Sequence, residues 1–169
     1  MRNLLFLLAL IAVITSCTPK KEKLENEISQ HEEVVFNDEM GLVDTVATEL
    51  LKNYREFAEL YPEDKNTPSI LYKGADLANG LGMPTLAIDM YGQVYQEFPE
   101  YEKAPLSLFI AAFIQENQMR NLDEAKALYE KFLEDYPNHQ LTPDVKVTLK
   151  NLGKTPEEII QEFEQQQAL

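Results

Sequence analysis

Six of the nine prolines in this chain fall in three matched pairs, and this pattern restricts the fold more than any other feature. The stretches FAELYPEDKNTP from Phe57, VYQEFPEYEKAP from Val94 and FLEDYPNHQLTP from Phe132 share one register. Each has an apolar residue, an aromatic four positions on, a proline directly after it, and a second proline six further along. The first prolines of the pairs are spaced by 37 residues (Pro62 to Pro99) and by 38 (Pro99 to Pro137). A proline cannot continue a helix and pushes the preceding residue out of the α region, so Pro62, Pro99 and Pro137 predict helix ends. At the first turn of a helix the missing N–H is no loss, so Pro68, Pro105 and Pro143 predict helix starts. Thr67, Ala104 and Thr142 then fall near the N-caps, a position that suits threonine. A period in this range marks stacked supersecondary units, here helix pairs joined by short loops.

The segments between the prolines agree. Val43, Val46, Ala47, Leu50, Leu51, Tyr54, Phe57, Ala58 and Tyr61 form one helical face, with Lys52, Glu56 and Glu59 on the other. Leu86, Ala87, Met90, Tyr91, Val94 and Phe98 repeat the pattern, as do Ala125, Leu128, Tyr129, Phe132 and Tyr136. No strand-like alternation occurs, so the expected class is all-α. Residues 18 to 36 are polar, and although Leu24, Ile28 and Val35 keep a partial helical spacing, the stretch reads mainly as a solvated tether.

These units resemble the tetratricopeptide repeat (TPR). With Pro68 as position one of a 34-residue unit, Ala75, Gly82, Ala87, Tyr91 and Pro99 fall on its small, Gly, Ala, aromatic and Pro positions. From Pro105, the residues Ala112, Ala125, Tyr129 and Pro137 do the same after one extra residue in the inter-helix loop. The small side chains let paired helices approach closely, and the aromatics fill the space between repeats. The ends depart from the pattern. Leu50 stands where Ala is expected, Lys150 occupies a small position, and Gly153-Lys154-Thr155-Pro156 brings the last loop early. The expected architecture is a short right-handed TPR-type α-solenoid of antiparallel pairs, about six or seven helices. It comprises repeats at about 68–101 and 105–139, a half-repeat at each end, and Glu157 to Glu164 as a solvating cap.

The resemblance implies an inner groove lined by the first helix of each repeat. It places Tyr72, Lys73, Asp76 and Asn79 there, with Phe109, Ile110, Phe113, Glu116 and Asn117. Such a groove accepts an extended peptide or a helix. The basic–asparagine clamp of some TPR domains is not reproduced, because Phe109 and Phe113 occupy its key places. Leu106 to Ile114 is apolar almost all round, which also fits a central helix buried on both sides, so Phe109 and Phe113 can be read as core or as groove.

At the N-terminus, Arg2 precedes an unbroken apolar run from Leu4 to Ile14, too short for a comfortable membrane span and matched to a secretory signal. Ile14-Thr15-Ser16-Cys17 follows, with the only cysteine of the chain. This resembles the bacterial lipobox, which implies cleavage after Ser16 and acyl chains on Cys17. Thr18 after the Cys is similar to an outer-membrane signal, and Thr18-Pro19-Lys20-Lys21 lacks the acidic residues of surface export, favouring the periplasmic face. The expected organisation is a signal peptide over 1–16, lipidated Cys and tether over 17–39, and the repeat domain over 40–169.

The formal charge of −14 argues against nucleic-acid binding, since phosphates would be repelled. One cysteine excludes an internal disulfide framework, and two histidines leave little for a metal site. Gly153-Lys154-Thr155 echoes a phosphate loop, but Thr148 replaces the required upstream Gly, and a helix–helix turn fits better. His31-Glu32-Glu33 begins like a zinc-protease helix, yet residue 35 is Val35. His139 has no second histidine near it, and acid pairs such as Asp123-Glu124 and Glu157-Glu158 suit helix N-termini. No catalytic constellation and no cofactor are expected. The expected role is a non-catalytic envelope adaptor with protein partners, similar to the TPR lipoproteins of outer-membrane assembly or of cell-division coordination. The alternative is a structural lipoprotein that forms a homodimer.

Overall fold

Each proline pair bounds helices as its chemistry requires. A computed structural model describes residues 19–36 and 44–167, and the described residues form eight α-helices and no strand. They are α1 (Pro19–Val35), α2 (Asp44–Leu60), α3 (Thr67–Gly80), α4 (Pro84–Glu97), α5 (Ala104–Asn117), α6 (Leu122–Asp135), α7 (Thr142–Asn151) and α8 (Pro156–Gln167). Helices α2, α4 and α6 each stop one residue before the aromatic that precedes Pro62, Pro99 or Pro137. Pro68, Pro105 and Pro143 each sit in a first helical turn. The expected signal peptide, Cys17 and residues 37–43 lie outside the described residues.

The chain divides into two compact units, one ending at Leu60 and one beginning at Tyr61. In the first, α1 and α2 pack as an antiparallel pair. Lys20 Nζ reaches Glu56 Oε1 at 3.4 Å, and Tyr54 Oη donates to Glu32 Oε1 at 2.6 Å. This corrects the tether reading: most of that stretch is a helix, and it completes a pair whose second member alone stood out in the sequence. Only three apolar side chains, Leu24, Ile28 and Val35, carry its buried stripe. The ion pairs Lys21–Glu25 and Lys23–Glu27, spaced i to i+4, support its exposed side.

In the second unit each helix from α3 to α7 packs on the next, giving a short TPR-type solenoid. Ala75, Ala87, Ala112 and Ala125 are fully buried, as close approach of paired helices demands. Leu108, Ala112, Ala125, Tyr129, Phe132 and Val145 form one core cluster spanning α5, α6 and α7.

The inter-pair loops share one hydrogen-bond plan. The carbonyls of Tyr61, Phe98 and Tyr136 accept the amides of Asp64, Tyr101 and His139 at 3.0, 2.9 and 3.2 Å. The carbonyls of those three residues accept the amides of Thr67, Ala104 and Thr142 at 3.0, 2.8 and 2.9 Å. Thr67 and Thr142 do not cap their helices, contrary to expectation. Their buried hydroxyls turn back and donate to the carbonyls of Tyr61 and Tyr136, at 2.6 and 2.7 Å, tying each loop shut. A cap needs the oxygen to face the helix N–H groups, and here the carbonyl six residues back is the acceptor in reach.

The turns within pairs differ by one residue, as expected. Three residues separate α3 from α4, and Gly82 there has φ +70°. Its amide donates to Asn79 O at 3.1 Å and that of Met83 to Ala78 O at 2.9 Å, the two bonds of a Schellman motif. Four residues separate α5 from α6, and Arg120 takes the left-handed conformation at φ 56°. Gly153, at φ +77°, makes a helix–helix turn between α7 and α8. There Thr155 and Glu158 exchange hydrogen bonds as a capping box, which adds to the macrodipole reading of the glutamates. The solvating-cap reading of the last helix needs correction. Alongside its glutamates, α8 turns Ile159, Ile160 and Phe163 to solvent.

Candidate protein-binding surface

Tyrosine clasps hold the helix pairs together, and they account for much of the expected groove. Tyr54, Tyr91 and Tyr129 occupy corresponding places on α2, α4 and α6, and their rings are buried. Each hydroxyl donates across its own pair to a carboxylate: Tyr54 to Glu32, Tyr91 to Asp76, and Tyr129 to Glu116 at 2.9 Å. Burial first, then the bonded carboxylate, pushes all three phenols well above their ordinary range. Asp76 and Glu116, expected to face a ligand, are therefore already hydrogen-bonded within the fold.

The other expected groove residues divide further. Tyr72 is buried, its ring edge-on to Tyr91 at 5.6 Å with Lys103 Nζ 4.5 Å from its centroid. Burial, with the charge of Asp76 next in weight, pushes its hydroxyl up to about 12. Tyr72 is core and not groove, because its helix face turns toward α4. Asn79 accepts a hydrogen bond from Gln118 Nε2 at 2.8 Å, linking the end of α3 to the end of α5. Asn117 donates to the carbonyl of Phe113 at 3.0 Å, within its own helix. Phe109 packs on the core cluster, 6.0 Å from the Tyr129 ring and 6.5 Å from Phe132. Ile110 is half-buried, and Lys73 is exposed. Phe113 is 48% exposed, with its ring 6.4 Å from Phe109. The core-or-groove question thus has a different answer at each position: Phe109 joins the core, and Phe113 stands at its solvent edge.

A further network escaped the sequence reading. Tyr95 Oη on α4 donates to Asp135 Oδ2 on α6 at 2.5 Å, and Lys131 Nζ lies 3.1 Å from the same carboxylate. The Tyr95 bond first, then Lys131, holds the Asp135 carboxyl below its usual range. Gln118 and Tyr95 both tie one helix pair to its neighbour, and both sit outside the aromatic–proline register that marked the repeats. A shallow opening of about 350 Å³, lined by Pro68, Phe98, Pro99 and Tyr101 with Glu97 and Glu100, lies at the loop between α4 and α5.

The histidines have structural surroundings. Asn53 Nδ2 lies 3.3 Å from His31 Nδ1, and His139 Nδ1 accepts the Leu141 amide at 3.2 Å while its ring meets Phe132. Among the described residues no group of three or more His, Cys, Asp or Glu side chains could hold a metal ion, and no helix is long and apolar enough to cross a membrane.

Comparison with protein families gives a match to the tetratricopeptide repeat over residues 106–139, which takes in most of α5, all of α6 and the first part of the loop that follows. No curated protein matches the chain. This fold is characteristically a non-catalytic interaction scaffold. The α5–α6 pair of this chain, with its loop, thus matches the tetratricopeptide repeat in sequence and has its helix–turn–helix form.

Proposed function

We propose that this protein is an envelope lipoprotein whose helix pairs serve as an adaptor for other envelope proteins. The carrying observation is one chain that joins a match to the TPR at 106–139 to a single cysteine three residues after an apolar run. Acyl chains on Cys17 would anchor it to the outer membrane, facing the periplasm. A few acyl chains on one residue suffice, at about 0.8 kcal/mol per buried CH₂. In this reading its adaptor role belongs to outer-membrane protein assembly or to envelope and cell-division coordination.

The docking face of this reading centres on Phe113, with Ile110 on the same helix and Lys73 on the first helix of the preceding pair. A half-exposed aromatic flanked by polar groups is the kind of anchor that dominates interface energetics. The test is capture of the native, membrane-bound protein by affinity pull-down, beside a Phe113→Asp variant of unchanged helix content. The reading expects a discrete set of co-purifying envelope proteins that the variant loses. Identical capture by both forms removes Phe113 from the interface. A Cys17→Ser change tests the anchor separately: it should release the protein from membranes or block maturation. A mature-sized Cys17→Ser product that still needs detergent for extraction would count against lipidation. The second reading, a structural self-associating lipoprotein, draws support from the apolar side chains left exposed on α7 and α8.

A further inference from the structure

The loop between α4 and α5 borders an opening that neither the tyrosine clasps nor the Phe113 face uses. It has a volume of about 350 Å³ and is lined by Pro68 on α3 and by Glu97, Phe98, Pro99, Glu100 and Tyr101. The lining is mainly apolar, and its two charged members are both acidic. Neither Glu97 nor Glu100 makes a hydrogen bond or ion pair among the described residues. The lysine of the same loop is turned elsewhere, with Lys103 Nζ 4.5 Å from the centroid of the Tyr72 ring.

The other two inter-pair loops share the hydrogen-bond plan but not this combination. After α2, Leu60 stands in the place of Glu97, and Asp64 in that of Tyr101. After α6, Asp135 stands in the place of Glu97 but is held by Tyr95 and Lys131, and Asn138 replaces Glu100. There the His139 ring, in the place of Tyr101, is packed against Phe132 and Tyr136. Of the three loops, the middle one alone joins two unpaired carboxylates to a Phe and a Tyr. Charge then selects the occupant. Two whole negative charges outweigh the α3 N-terminus, where Pro68 sits and which carries about half a positive charge. A guanidinium suits both parts of the lining: its plane stacks on aromatic faces, and its fork of donors matches a carboxylate. A lysine ammonium, compact and strongly hydrated, gains less from apolar walls. The opening is at the low end of ligand pockets, about 300–1,000 Å³, and has room for one such side chain.

We infer that this opening receives an arginine side chain from an extended segment of another protein. The guanidinium meets Glu97 and Glu100, and the aliphatic stem lies against Phe98, Tyr101 and the two prolines. The inference uses no residue of the Phe113 face and does not depend on the lipid anchor.

The experiment titrates the isotopically labelled full chain, in neutral detergent micelles at low salt, with the pentapeptide GPRPG. Amide and ring signals are followed by NMR. The expected result is a set of saturable shifts concentrated at residues 97–101. Replacing the arginine of the peptide by citrulline, similar in shape but uncharged, should weaken binding about fivefold, the upper range for exposed ion pairs. Glu97→Gln, Glu100→Gln in the protein should do the same, since both side chains are exposed and glutamine keeps their shape. Glu157→Gln, Glu164→Gln on α8 should leave the affinity unchanged, and a lysine peptide should bind more weakly than the arginine one. No saturable shift, or equal binding of the citrulline or lysine peptide, overturns the inference. So does an affinity that the α8 changes lower as much as the Glu97 and Glu100 changes, which means diffuse attraction to an acidic protein.

Discussion

Removal of the Tyr129 hydroxyl tests the clasp that recurs in all three pairs. Tyr129→Phe keeps the buried ring and deletes only the hydrogen bond to Glu116, 2.9 Å long. A hydrogen bond to a charged group contributes about 1.5–3 kcal/mol, but half-buried Glu116 can turn to water once released. The expected loss at pH 7 is therefore about 1–2 kcal/mol. The pH dependence is the sharper part. In the unfolded chain a tyrosine titrates near about 10, whereas in the fold burial and Glu116 hold Tyr129 well above that. Between about pH 10 and 11 the unfolded chain has released a proton that the folded chain keeps. Stability then falls with rising pH, by about 1.4 kcal/mol per unit for this one group. Phenylalanine has no such proton, so the penalty of the mutation should shrink toward zero by about pH 11. Lysine titration is common to both proteins and cancels in the difference. Urea unfolding followed by far-UV circular dichroism at both pH values gives that difference. A loss below about 0.3 kcal/mol at pH 7, or an equal loss at both pH values, would refute the clasp.

Arg120→Gly should raise stability by about 0.5–1 kcal/mol, because Arg120 pays a left-handed penalty that glycine avoids, while Gly82→Ala should lower it by about 1 kcal/mol. Both are read from urea midpoints. Thr142→Val preserves shape but leaves the Tyr136 carbonyl without its 2.7 Å side-chain donor, for an expected loss of about 1 kcal/mol by the same assay. Ile28→Ala should cost about 2 kcal/mol or more and speed hydrogen exchange in α2. Unchanged exchange in α2 would mean that α1 contributes nothing to its pair.

Most of the scaffold was legible in the linear chain, because proline acts through its own covalent structure. Pro62, Pro99 and Pro137 end helices, and Pro68, Pro105 and Pro143 begin them, whatever the surroundings. Gly82 was legible for a similar reason, since its turn needs a positive φ. Helix α1 was not, because its buried face rests on three widely spaced apolar residues in a polar segment, and partner contacts hold it in place. Residue type alone points the threonine hydroxyls to caps, because it names a donor and acceptor without naming which of them is used.

The groove shows where this local logic stops. Position within a repeat put Tyr72, Asp76, Glu116 and Phe113 on the first helices, yet the fold buries one, engages two as tyrosine acceptors and leaves the last near solvent. Sequence spacing could not reveal the clasps, since the carboxylate lies 22, 15 and 13 residues before its tyrosine. Partner choice across a helix pair depends on helix rotation and loop length together. The amino-acid order alone settled where helices start and stop, which is decided by backbone sterics within a few residues. Which side chains remain open to another protein was decided only by tertiary packing, because exposure depends on everything that lands on a surface.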